Sequence, residues 1–93
     1  MPTTRAEIAT PSGAKLIHRL CKHWAHKLKV EHEGAYGRVE FDKGVCLMTA
    51  EEEQLNVVIE ASDEASLTRL EEVAASHLER MANQETLEIV WHR

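Results

Sequence analysis

Aromatic side chains are scarce: Trp24, Tyr36, Phe41 and Trp91 make up 4% of the chain. Any core must therefore be mainly aliphatic. Cysteine is limited to Cys21 and Cys46. A disulfide-stapled secreted domain would carry more, so both are expected as free thiols in a reducing compartment. No apolar run nears the ~20 residues of a membrane span, which argues against membrane insertion. The first ten residues, "MPTTRAEIAT", lack the apolar stretch of a secretory leader. A cytoplasmic location is the expectation. The familiar catalytic signatures are missing too: HExxH, CxxC, GxSxG, a Rossmann fingerprint and an RNP-like aromatic strand. "TPSGAK" (residues 10–15) sits where a phosphate loop would, between a strand and a helix, but without its spacing or its glycines. No cofactor is expected.

Acidic residues are absent in one place. From Pro11 to Val30 there is none, although Lys15, Arg19, Lys22, Lys27 and Lys29 fall there. Residues 1–50 hold eight Lys/Arg and five Asp/Glu, and residues 51–93 hold three and eleven. The net charge of −5 argues against general nucleic-acid binding, which needs a strong basic field. The local basic stretch remains available for an anion.

What is present suits one small domain, residues 1–93: 43% hydrophobic and 29% charged residues, and a length at which about 60–65% of the unfolded surface is buried. "RAEIAT" alternates, with Ala6, Ile8 and Thr10 on one side, and predicts a strand. Thr10 is read as the N-cap and Pro11 as the first residue of a helix reaching Lys27. "LKVEHE" and "YGRVEF" alternate about a turn at Gly34-Ala35. "DKG" (residues 42–44) is read as a hairpin loop with Gly44 at positive φ. "VCLMTA", apolar on both faces, predicts a central strand covered on both sides, and "LNVVIEA" another strand. Ser62 is read as the cap of a second helix, with the stripe Leu67, Leu70, Ala74, His77, Leu78 and Met81 and an end near Asn83. "LEIVWHR" predicts a last strand. The order β-α-β-β-β-β-α-β is an α+β two-layer sandwich: a mostly antiparallel sheet with two helices packed on one face.

The first helix carries most of the chemistry. On a wheel at about 100° per residue, Ala14, Ile17, Leu20, Cys21, Trp24, Ala25 and Leu28 gather on one side. Lys15, Arg19, Lys22 and His26 gather on the other, with His18 and His23 at the borders. A metal wants three or four converging ligands. His23 and His26 are three apart and suitably spaced, as are His18 and Cys21, but Cys21 and His23 point roughly 160° apart. A metal site through His23 and His26 would need a ligand from another element. His77 lies within the second helix's apolar stripe. It reads either as a buried histidine with a satisfied ring or as the partner of Cys21 or Cys46 in a thiol–imidazole pair.

"LCKHWAHK" (residues 20–27), "ASHLERMA" (residues 75–82) and the closing "LEIVWHR" resemble a family of small bacterial domains of unknown function. Its members are sometimes found beside, or fused to, siderophore-interacting ferric reductases. The resemblance implies a place in iron–siderophore metabolism, but no reaction and no catalytic residues. It matches Cys21, His23, His26, His77 and Glu79 to motif positions. The chain departs from the pattern after the second motif, carrying Met81-Ala82-Asn83-Gln84-Glu85 in place of an aromatic, arginine-bearing run.

Composition and motif together favour a non-enzymatic binding or accessory module. Lys15, Arg19, Lys22, His23 and His26 are its candidate contacts for an anionic small molecule or an acidic protein surface. Three other readings stand beside it. They are a thiol or redox enzyme using Cys21 or Cys46 with His77, a metal binder through His23 and His26, and a homodimer built on "VCLMTA".

Overall fold

The computed structural model describes residues 2–82 and 85–93. In chain order the elements are β1 (Thr3–Ala9), α1 (Gly13–Trp24), β2 (Lys29–Glu33), β3 (Tyr36–Phe41), β4 (Gly44–Ala50), β5 (Gln54–Ala61) and α2 (Glu64–Met81). The five strands form one sheet in the order β1-β5-β4-β3-β2, and every pair is antiparallel. Helix α1 packs over β2, β3 and β4, helix α2 over β5, β1 and β4, and the helices touch each other. This is the two-layer α+β sandwich that the sequence predicts. None of its helices, among the described residues, is long and apolar enough to cross a membrane.

Strand alternation decides which side the helices cover. Thr4, Ala6 and Ile8 of β1, Val39 of β3, Cys46 and Met48 of β4, and Leu55, Val57, Ile59 and Ala61 of β5 are buried. Their neighbours point to the other side. That second face is uncovered, contrary to the expectation for "VCLMTA": Val45 and Leu47 of β4 are half-buried, and so is Val58 of β5. Helix α1 seats Gly13, Leu16, Ile17, Leu20, Cys21 and Trp24 against the sheet. The buried stripe is rotated from the expected one, since Leu16 is inside while Ala14 and Ala25 are exposed. Leucine gains far more from burial than alanine, so the helix rolls toward it.

Several local expectations are corrected. Helix α1 begins at Gly13 with Ser12 as N-cap, not at Thr10-Pro11. The Thr10 hydroxyl instead accepts the Ser12 N–H at 3.1 Å and donates to Glu85 at 2.7 Å. The helix stops at Trp24, short of Lys27, because the chain must reverse into β2; the Lys27 and Leu28 N–H groups both fold back onto the Trp24 carbonyl. Helix α2 is capped by Asp63, not Ser62: its side chain accepts the Ser66 N–H at 2.7 Å. It ends at Met81, and Asn83 and Gln84 lie outside the described residues. The glycine at positive φ is Gly34, at 56°, which makes the β2–β3 turn. Gly44 is needed for closeness instead, because a Cβ there would collide with the Glu60 carbonyl oxygen and Leu70.

The predicted last strand does not form. Residues 87–91 run alongside the core without regular pairing, and only His92 bridges to Arg5 of β1. The alternation that suggested a strand records packing: Leu87 is buried, Ile89 and Trp91 are half-buried, and Glu88 and Val90 are exposed.

Candidate functional site

The two border histidines of α1 each meet an imidazole from a neighbouring element. His18 lies against His32 of β2, ring centroids 5.4 Å apart. His23 lies against His77 of α2 at 5.3 Å. Sequence spacing could not show these pairs, because each crosses between elements. The second pair extends into an aromatic group: Trp24 is 5.1 Å from His77, and Phe41 meets Trp24 edge-on at 5.1 Å. His77 Nδ1 is 2.8 Å from the Val73 carbonyl oxygen. A carbonyl only accepts, so Nδ1 carries the proton in that bond. In the neutral ring, Nε2 is then left with its lone pair.

The basic face of α1 divides. Arg19 Nη1 donates to the Met81 carbonyl at 2.9 Å, satisfying one of the unpaired carbonyls that close α2. Lys15 shares the charge field of Glu85. A polar cavity of about 200 Å3 lies between them, lined by Ser12, Lys15, Arg19, Met81, Ala82 and Glu85. Lys22, His23 and His26 are exposed at the other end of the helix and on the turn beyond it. Among the described residues the ion pairs join Lys29 to Glu40, Arg38 to Glu31 and Glu40, and Arg93 to Glu64 and Glu71. None reaches α1.

The thiols occupy the core between α1 and the sheet. Cys21 and Cys46 are both free and buried. Burial, and then the neighbouring Cys21, push the Cys46 thiol up to about 12. Burial raises Cys21 as well. His77 faces Trp24 and His23, and among the described residues no hydrogen bond joins it to either sulfur. The thiol–imidazole pair considered from sequence is therefore not assembled. Nor, among the described residues, do three His, Cys, Asp or Glu side chains converge as a metal would require. His23 finds His77 rather than a ligand set with His26.

A buried carboxylate escaped the sequence reading. Glu71 lies inside the buried stripe of α2 and accepts from Arg93 at 2.7 and 3.3 Å. Its signal was available, as a charge at the apolar spacing of Leu67, Leu70 and Ala74 requires a cationic partner.

The family described as "Uncharacterized protein conserved in bacteria (DUF2218)" matches residues 5–92. Among solved structures, the chain is similar to the NMR structure of PA4090 from Pseudomonas aeruginosa. That protein is 38% identical, with a TM-score of 0.85, over 99% of this chain and 96% of that one. No curated protein matches.

Proposed function

The chain belongs to this family of uncharacterized bacterial proteins, and on that premise we propose that it is a non-enzymatic binding module. The carboxyl-terminal end of α1 is its contact surface for an anionic ligand. One observation carries the reading: the exposed cations of α1 have no ion-pair partner among the described residues and stand in a stretch, Pro11 to Val30, that holds no acidic residue. Lys22, His23 and His26 are the contacts. Arg19 is engaged in closing α2, and Lys15 is offset by Glu85.

Unpaired surface cations attract an anion over roughly the ~8–10 Å Debye length of physiological salt. The resemblance to domains found beside siderophore-interacting ferric reductases supports an anionic metal chelate as the first ligand to try. Gallium(III) citrate is a diamagnetic stand-in for a ferric complex and permits amide NMR. Titration is expected to shift residues 22–27, weaken with added salt, and weaken again in Lys22→Gln/His26→Gln. Unmoved amides in that segment at millimolar chelate would sink the reading.

A further inference from the structure

The helix layer leaves a second opening, distant in chemistry from the basic end of α1. Where α1 gives way to the turn at residues 25–28, α2 runs on past the β3–β4 hairpin. The gap between them is a groove of about 680 Å3. Leu28, Phe41, Leu70 and Val73 supply its apolar lining. Three of these, Leu28, Phe41 and Val73, are only half-buried although they pack against the core. Phe41 is the last residue of β3; its ring meets Trp24 edge-on and stays half-buried. Apolar side chains from three separate elements thus meet in one concavity that the described residues do not fill.

The rim of this groove is charged. Lys43 comes from the hairpin loop and Arg69 from α2, and both are exposed. Asp42 is the acidic residue among those lining the groove, and Asp63, the cap of α2, shares the field of Lys43. Arg69 makes no ion pair among the described residues. Its planar guanidinium is suited to a carboxylate through two parallel hydrogen bonds. Small-molecule sites combine an apolar body with a few convergent polar groups in ~300–1,000 Å3, and this groove has both.

We propose that the groove binds a small organic carboxylate with an apolar body. The hydrocarbon or ring lies on Phe41, Leu28 and Val73, and the head group meets Arg69, with Lys43 contributing charge. The proposal is independent of the α1 reading, because it uses other residues and requires an apolar ligand body that the α1 surface does not.

Amide NMR titration of the full chain with octanoate, octan-1-ol and octylamine tests it. Octanoate is expected to give saturable shifts at residues 41–43 and 65–73, and to bind about two- to fivefold more tightly than the alcohol, the range of an ion pair with an exposed cation. The amine should bind more weakly than either. Arg69→Gln/Lys43→Gln should bring octanoate down to the alcohol's affinity; both side chains are exposed, so the variant's amide spectrum should otherwise stay that of the folded protein. Three outcomes would overturn the proposal: no saturable shift in the groove at about 10 mM octanoate, a concentration that fills a millimolar site; equal binding of acid and alcohol; or octanoate affinity unchanged in the double variant. Shifts confined to residues 22–27 would also overturn it, while leaving the α1 reading intact.

Discussion

A cysteine acts as nucleophile or metal ligand only as the thiolate. The setting of Cys46 opposes that state: β4 buries it, and burial with the nearby Cys21 pushes its thiol up to about 12. Cys21 lies in the apolar stripe of α1 and is raised by burial as well. Both behave as small apolar residues. The expected outcome is that iodoacetamide at neutral pH alkylates neither in the native protein over the time needed to modify both in denaturant. Intact-mass spectrometry of the two reactions checks it. Rapid labelling of either thiol in the native state would reopen nucleophilic chemistry. The same logic separates His77 from the cysteines: its ring contacts are an indole and another imidazole, which orient it without ionising a thiol.

Helix α1 can lie close to the sheet because β3 offers it a residue without a side chain. A Cβ at Gly37 would stand 2.7 Å from Ile17 Cγ2 and 2.9 Å from Cys21 Sγ. Both atoms are one bond from their Cβ, so they move only by a change of χ1 rotamer within the buried stripe or by a shift of the helix. Gly37→Ala is therefore expected to destabilise the protein by about 1–3 kcal/mol, the range for overpacking a filled core. Urea unfolding measures it, and a neutral result would mean that α1 shifts freely on the sheet. The wheel of α1 could not show this, because the glycine lies in another element. What was legible from sequence follows the same division. Alternation located four of the five strands that form, the apolar run "VCLMTA" located the fifth, and 3.6-residue spacing located the buried faces of both helices, since each pattern reports burial within one element. The run at residues 87–91 alternates as a strand does yet pairs only at His92, because a coil wedged against a core buries every second residue too. Gly44 and Gly34 carry the same sequence signal, but only Gly34 takes positive φ. At the candidate site, sequence separated Lys22 and His26 from the buried stripe. It could not foresee that His23 meets His77 or that Arg19 closes α2, contacts made by residues 54 and 62 positions away.

At the scale of the whole molecule, the two layers are tied together by carboxylates. Glu85 accepts from Thr10, joining the segment after α2 to the approach to α1. Two others act locally: Asp63 caps its own helix α2, and Glu40 pairs with Arg38, its neighbour on the same face of β3. The His92 bridge to β1 carries Arg93 onto α2, where it donates to Glu71, Glu64 and Thr68. Burial of Glu71 acts most strongly and opposes its charge. The Arg93 and Thr4 hydrogen bonds and the Arg93 charge together outweigh it, so its carboxyl is held below the ordinary 4.5. Asp63 is held down chiefly by the Ser66 N–H, Glu85 by Thr10 and Glu40 by Arg38. A carboxylate whose value is lowered on folding stabilises the fold in full above its unfolded value and loses that contribution as pH falls through the folded one. All four shifts have this sign, so stability should be level above the ordinary carboxylate values of 3.8 to 4.5 and fall steadily on acidification below them. Arg93→Ala isolates the Glu71 share. It should lower the melting temperature by a few degrees at neutral pH, where the pair is ionised. Below the folded value of Glu71 a protonated carboxyl has no charge for the guanidinium to meet, so the gap between variant and parent should narrow there. Melting curves by circular dichroism across that range decide it. A gap that stays constant with pH would assign Arg93 to packing along α2 through its alkyl stem, and the acid lability of the fold would then rest on Asp63, Glu85 and Glu40 alone.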